Sequence, residues 1–345
     1  MIVFPAVDIQ DGKAVRLRRG DFGDATVFSD DPVELAHHWR DQGAEALHVV
    51  DLDAARTGEL TNFRLVERIV DSLDIPVQYG GGIRTPRFAI PGGDVAGTVE
   101  RCGRKVTEFA PGDEVYGFGH GAFAEFVAVP YDKLARKPSN LTFEQAAAVP
   151  LAAITAIQGL RAGDLQSDQK VLIIGASGGV GTFAVQLARH IGAEVTGVCS
   201  TSNVELVRRL GAEHVIDYTE QDVASGPARY DLAFQLGGTY SPAALRRVLT
   251  DRGTLIQSYG DGSRWLGPLG NMLKAVALNP FVGQTLKAFT AKETTAALDE
   301  LTGLIEAGDL VPVIDRSFPL ADAAAAIELV EQGHPAGKVT VIVDL

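Results

Sequence analysis

Cysteine is nearly missing: Cys102 and Cys199 are the two thiols in 345 residues. Two cannot form a disulfide framework or a four-thiolate zinc site, and a chain so poor in thiols suits a reducing compartment, which points to the cytoplasm. Basic charge is also short, with 31 Lys and Arg against 44 Asp and Glu and a formal charge of -13. No local basic patch offsets this, so phosphate backbones and anionic lipid are repelled, and neither nucleic acid nor a membrane surface is expected as a partner. Long apolar runs are absent. The most apolar stretch, residues 146–160, contains Pro150, Thr155 and Gln158 and falls short of the roughly 20 residues that cross a bilayer. The opening residues reach Asp8 without a basic region or an apolar run and do not read as a signal peptide. His120, His190, His214 and His334 have no partners at metal-ligand spacing, so each reads as a surface or loop histidine and no metal is expected. Repeats and low-complexity segments are missing too.

What is present is a glycine-rich chain, 38 glycines with 46% apolar and 22% charged residues, in keeping with an α/β enzyme. At about 150 residues per domain the length implies two or three units. Residues 1–85 alternate apolar runs (2–7, 46–50, 75–79) with helical stretches (32–42, 62–72), a turn-rich loop following the first run. Continuous apolar strands between amphipathic helices imply parallel β buried on both faces. In the second helix Phe63, Val66, Ile69 and Val70 fall at helical spacing behind the cap Asn62. From Pro86 the texture changes to short strands at 94–100, 111–115 and 122–129, where alternation and glycine turns imply antiparallel β. Beyond Leu141 helices are expected at 143–161, 180–191 and 204–210, with strands at 170–175, 194–199, 230–236 and 253–259. This is a doubly wound nucleotide-binding pattern. The tail ends in a strand at 338–343, expected to return to the antiparallel module.

The strongest motif is Ala176-Ser177-Gly178-Gly179-Val180-Gly181, between a strand and a helix. Small residues there let backbone N–H groups approach a pyrophosphate, whose charge the helix N-terminus favours. About 20 residues further on, an NAD-type site presents an acid to the ribose 2′-OH. This chain has Ser200, Thr201, Ser202 and Asn203 there, so no carboxylate repels a 2′-phosphate and NADPH is the expected cofactor. The same residues also read simply as the cap of the helix at 204–210, and Arg208 and Arg209 stand on that helix rather than in the loop.

With Pro91-Gly-Gly-Asp94-Val-Ala-Gly97, Pro111-Gly-Asp113-Glu-Val-Tyr116-Gly, Gly121-Ala-Phe-Ala-Glu125, the glycine loop, the 210–218 segment ending Asp217-Tyr218, and Gly337-Lys338-Val339, residues 86–345 resemble the medium-chain dehydrogenase/reductase superfamily in its zinc-free quinone oxidoreductase branch. The resemblance implies a GroES-like substrate domain joined to a Rossmann domain, and hydride transfer from NADPH to a quinone, enone or similar carbonyl. It adds Tyr218 to the cofactor-binding residues and places Thr155 near the nicotinamide, as a catalytic candidate. Zinc-dependent relatives carry Gly-His-Glu where Gly92-Gly93-Asp94 stands, so no catalytic zinc is implied. Gln235 replaces a usual aspartate. Phe118, Trp265 and Phe281 are candidates for an apolar substrate wall, although Trp265 and Phe281 read more readily as core. The family's first strands, roughly sixty residues that line its substrate cleft, are missing.

In their place, Pro5-Ala-Val-Asp8-Ile-Gln-Asp11-Gly12, His48-Val-Val-Asp51-Leu-Asp53 and Gly80-Gly81-Gly82-Ile-Arg84 resemble the opening of the phosphoribosyl isomerase of histidine biosynthesis, an eight-stranded β/α barrel. That resemblance implies an acid/base role for Asp8 and a phosphate-binding turn at Gly81 and Gly82. The second catalytic aspartate and second phosphate site of that family have no counterpart here, and Asp8 and Asp11 also read as turn residues before Gly12. The expected fold class is therefore α/β, a Rossmann doubly wound parallel sheet plus an incomplete GroES-like β domain, preceded by a partial β/α-barrel segment. The expected domains are 1–85 (isomerase-like), 86–150 completed by 281–345 (substrate domain), and 151–280 (NADPH-binding). Three readings stand: an oxidoreductase, an isomerase, and a non-catalytic NADPH-binding composite. A small-molecule substrate and a homodimer complete the expectations.

Overall fold

The computed structural model describes residues 5–18, 21–44, 46–57, 61–73, 75, 77–81, 90–258, 283–333 and 335–343. The chain forms two compact units, Met1–Pro91 and Gly92–Leu345.

The first unit is built on a five-stranded sheet in the order Asp21–Ser29, Lys13–Arg18, Ala6–Gln10, Leu47–Asp51, Val77–Gly81. The last three strands are parallel, as the apolar runs imply. The stretch read as a turn-rich loop is instead an antiparallel hairpin. Its turn is Asp11-Gly12, with φ of 49° and 75°, the pair of positive values that a tight hairpin matched to strand twist requires. Residues 2–4 of the expected first strand lie outside the described residues, as does the junction at Thr85 and Pro86. Helix Pro32–Asp41 starts with proline and is capped by Asp31, whose Oδ1 accepts from Val33 N–H at 2.9 Å. Helix Phe63–Ser72 contributes Val66 and Ile69 to a core with Val7, Ile9, Ala14, Ala36, Leu47 and Val49. Val70, expected on the buried face, is 46% exposed. Asn62 makes no side-chain cap bond; its Nδ2 donates to Asp51 Oδ1 at 2.8 Å and Asp53 Oδ2 at 2.9 Å. Those buried carboxylates claim the amide that the sequence assigns to the helix end.

Among the described residues the second unit carries three sheets. An antiparallel one has the order Asp94–Thr98, Glu114–Phe118, Leu134–Arg136. The strand expected at 122–129 does not form: Gly119 and Gly121 N–H donate to Gly93 and Gly92 carbonyls, and the chain that follows finds no ladder partner among the described residues. Its alternation is therefore not a sheet face, and Leu134–Arg136 takes the third place. The helix expected at 143–161 is two helices, Phe143–Ala147 and Pro150–Ala162, because Pro150 lacks the N–H that would continue the first and is suited to start the second.

The main sheet is wholly parallel, in the order His214–Asp217, Glu194–Cys199, Lys170–Ile174, Tyr230–Gln235, Leu249–Gln257, Thr285–Ala288. Its strand order reverses between Lys170–Ile174 and Tyr230–Gln235. Helices Pro150–Ala162 and Gly179–Ile191 pack together on one face, with Phe183 and Leu160 fully buried. The C-terminal strand Lys338–Ile342 does not join the antiparallel module and pairs parallel with Ile314–Pro319. Tyr116 fixes the antiparallel sheet to helix Thr295–Glu306, its hydroxyl donating to Leu298 O at 2.7 Å and lying 2.9 Å from Thr302 Oγ1. Burial pushes that phenol up to about 12.

Candidate functional site

Strand Lys170–Ile174 ends in Gly175, and helix Gly179–Ile191 begins four residues later. Ala176 is fully buried and its N–H donates to Val198 O at 3.0 Å, anchoring the loop to the neighbouring strand. Gly178 is the helix N-cap, and the first intrahelical bond is Thr182 N–H to Gly178 O at 3.0 Å. The N–H groups of Gly179, Val180 and Gly181 therefore precede the bonded ladder, the donor arrangement that favours an anion at a helix N-terminus. Gly181 is demanded by the fold, since a Cβ there would stand 2.0 Å from Gly175 O, a backbone atom. The loop is thus a turn closed by backbone, with the N–H groups of the first helical turn ahead of the bonded ladder.

Two further elements close on this loop. Gly337 N–H donates to Ser177 O at 2.8 Å, bringing Lys338 beside Gly179, where a Cβ would lie 2.9 Å from the Lys338 Cδ. Lys338 Nζ lies 3.3 Å from Asp94 Oδ2, while Asp94 Oδ1 accepts from Leu151 N–H at 3.1 Å. Burial raises the Asp94 carboxyl above its ordinary value, opposed by the Lys338 charge and the Leu151 bond. A half-buried ion pair thus links the antiparallel sheet, the first turn of Pro150–Ala162 and the glycine loop, although the sequence places its members 244 residues apart.

The turn after strand Glu194–Cys199 is the other half of the expected site. Asn203 Nδ2 donates to Ser177 Oγ at 3.2 Å and to Ser200 Oγ at 3.3 Å, joining turn to loop. Ser200 and Ser202 hydroxyls lie 3.2 Å apart, and Thr201 Oγ1 is 2.9 Å from Thr219 Oγ1. Tyr218 is 47% exposed, and its N–H donates to Cys199 O at 3.1 Å. A carboxylate stands at the end of the next strand: Asp217, buried, accepts from Thr219 N–H at 2.9 Å and Oγ1 at 2.7 Å. Hydrogen bonds from Thr201 and Thr219 hold its carboxyl below the usual value. Its place at the end of His214–Asp217, inside a motif already legible, was the available signal. Arg208 pairs with Glu205 at 2.8 Å.

The remaining candidates are less gathered. Thr155 is buried and its hydroxyl donates to Leu151 O at 2.6 Å within its own helix. Phe118 is buried in the core; Trp265, Phe281 and His334 lie outside the described residues. In the first unit Asp8 sits on strand Ala6–Gln10, its carboxyl raised by burial against the opposing charges of His48 and Arg16. Gly81 ends strand Val77–Gly81 opposite Asp51, and Gly82 lies outside the described residues. Among the described residues no three His, Cys, Asp or Glu side chains gather as a metal site. No described helix is long and apolar enough to cross a membrane.

Family models match along the chain as a histidine biosynthesis protein at residues 2–89, an alcohol dehydrogenase GroES-like domain at 69–139 and a zinc-binding dehydrogenase at 210–341. The mitochondrial NAD(P)H oxidoreductase RTN4IP1 of Bos taurus is 37% identical over 278 residues, covering 72% of this chain and 69% of that protein. The chain belongs to the medium-chain dehydrogenase/reductase superfamily. A chloroplastic NADPH-dependent alkenal/one oxidoreductase of Arabidopsis thaliana is 34% identical, over 74% of this chain and 64% of its own length. The quinone oxidoreductase of Coxiella burnetii superposes with a TM-score of 0.66 at 28% identity, covering 74% of this chain and 79% of that one. The opening differs in kind: the imidazole-4-carboxamide isomerase of Nitratidesulfovibrio vulgaris is 61% identical over 84 residues, 24% of this chain and 35% of that enzyme. This dehydrogenase/reductase chain is thus a composite that opens with a histidine-biosynthesis segment.

Proposed function

We propose that the second unit binds NADPH and reduces a quinone, an enone or a similar carbonyl compound without zinc. The observation that carries this reading is the loop of residues 175–181, closed by the Gly181 and Gly175 backbones and open at the helix N-terminus. The residues that would hold the cofactor are the N–H groups of Gly179, Val180 and Gly181 at its pyrophosphate, with Lys338 beside them, and Ser200, Thr201 and Asn203 at its adenosine end. When bound, the nicotinamide supplies the hydride. The chain's own part is to hold and orient. The Asp94 carboxylate keeps the Lys338 ammonium against the loop, and the paired hydroxyls of Ser200 and Ser202 offer a donor to a 2′-phosphate. NADPH rather than NADH is supported by that hydroxyl-rich turn, and by Asp217 being consumed by its own threonines rather than turned outward. The NADPH-dependent alkenal/one relative and the quinone oxidoreductase neighbour support the substrate class. Zinc independence is supported by the Gly92-Gly93-Asp94 sequence, which has no imidazole, and cytoplasmic residence by the two free cysteines.

Fluorescence titration with NADPH and NADH, followed by turnover of a quinone and an α,β-unsaturated ketone with and without a chelator, tests the proposal. Tighter NADPH binding with chelator-insensitive turnover is expected. NADH binding as tight as NADPH, or turnover abolished by the chelator, would refute the corresponding part.

A further inference from the structure

We infer that Gln235 and Gln257 are a positioning pair that holds residues 236–240 as the second wall of the cofactor crevice; the inference rests on the NADPH reading above. In a doubly wound sheet, ligands are received outside the carboxyl ends of the strands where the order reverses. Here that point lies between Lys170–Ile174 and Tyr230–Gln235. The loop leaving Lys170–Ile174 takes the pyrophosphate, and the adenosine end goes to the turn after Glu194–Cys199. The nicotinamide half therefore runs to the other side, where the chain leaves Gln235.

The geometry at that exit is unusual for its amides. Gln235 is 2% exposed and Gln257 6%, side by side in register at the ends of paired strands. Gln257 Nε2 donates to Gln235 Oε1 at 2.7 Å, and Gln235 Nε2 donates to Gly238 O at 3.3 Å and Tyr240 O at 3.2 Å. Leu236 N–H donates to Ile174 O at 2.9 Å, so the clamped segment begins at the root of the glycine loop. Only a group that donates and accepts at once closes this circuit. A carboxylate at residue 235 accepts from Gln257 but faces the Gly238 and Tyr240 carbonyls with no proton to give. The amide thus accounts for the glutamine at this position, and it keeps the wall uncharged beside an anionic cofactor.

Binding of NADPH and of adenosine 2′,5′-bisphosphate, which lacks the nicotinamide half, separates positioning from general loosening. In Gln235→Met and Gln257→Met, which keep length and remove the bonds, NADPH should bind roughly tenfold more weakly while the bisphosphate is unchanged within about twofold. Gln235→Glu should show the same split. Equal weakening of both ligands, or NADPH binding unaffected in the folded variants, would overturn the inference. Should Gln235→Met fail to fold, Gln257→Met carries the same test. A wild-type chain that binds neither probe overturns the cofactor reading itself, and the inference with it.

Discussion

Gly178 and Gly181 stand in one motif with one rationale at the level of sequence, close approach to a phosphate, yet the backbone treats them differently. A Cβ on Gly181 meets Gly175 O at 2.0 Å and Ala176 C at 2.8 Å, whereas one on Gly178 meets nothing nearer than 3.4 Å. Gly181→Ala should therefore lower stability by about 2 kcal/mol and abolish cofactor binding, because two backbone segments must part. Gly178→Ala should leave thermal unfolding unchanged and weaken only the NADPH titration; a loss of stability there equal to that of Gly181→Ala would contradict this account. The spacing reveals which residues are small, and the fold reveals which must be. The Asp94–Lys338 pair was illegible for a different reason: both residues stand in recognisable motifs, but nothing local says that they meet. A buried carboxyl whose folded pKa is raised binds its proton more tightly in the folded state, so stability is gained as pH falls through that value and surrendered as it rises. Lys338 opposes the rise. Lys338→Met should therefore raise that carboxyl further and, in thermal melts, lose more stability than wild type as pH rises above the ordinary carboxylate range. A difference from wild type that stays constant with pH would show that Asp94 does not feel the ammonium.

Elements whose environment is repeated along the chain were legible, and those set by a distant partner were not. The strands Glu194–Cys199 and the helix Val204–Leu210 follow directly from apolar runs between glycine and cap residues, because each is covered by its sequence neighbours. Residues 122–129 alternate as well as any strand, but alternation is only a demand for a partner, and the N–H groups just upstream are spent on Gly92 and Gly93. The hairpin around Asp11-Gly12 failed in the opposite sense: its turn signal was plain, while Lys13–Arg18 and Asp21–Ser29 are charged enough to pass for a loop. Tyr116 shows how such elements are then fixed together. Its hydroxyl joins strand Glu114–Phe118 to the Leu298 carbonyl and the Thr302 hydroxyl of a helix far along the chain. Tyr116→Phe keeps the ring and strands those partners, so denaturant unfolding should show a loss of about 1 to 2 kcal/mol with an unchanged slope. No loss would mean that water replaces the hydroxyl at no cost.

For the molecule as a whole, the change of texture near Pro86 was the most legible feature, since doubly buried parallel strands and short antiparallel ones are written differently. The two units that result are unequal. Among the described residues the first, Met1–Pro91, has one cluster of eight buried apolar residues, while the second has two clusters, one of them running from Tyr116 to Leu310 through the parallel sheet. Isomerase chemistry needs two proton-transfer groups, and the segment that matches the isomerase spans 35% of that enzyme's length, with Asp8 as the one candidate the resemblance implies. Complementation of a strain lacking the isomerase should therefore fail, and growth that depended on Asp8 would reverse this. The inequality of the cores makes the last prediction. An amide in a central strand exchanges only when its cooperative unit opens, and the free energy of that opening grows with the apolar surface the unit buries. In the first unit the strands Ala6–Gln10 and Leu47–Asp51 depend on a small core and on a sheet whose outer strand exposes Val27 and Phe28. Lys170–Ile174 is flanked on both sides by parallel strands and covered by packed helices, and four of its five residues are buried. Native-state hydrogen exchange should therefore find the first unit's strands opening at a lower free energy than Lys170–Ile174, in a separate cooperative step. Protection of equal depth in both, lost together as denaturant is raised, would show one cooperative fold across the junction and defeat the composite description of its stability.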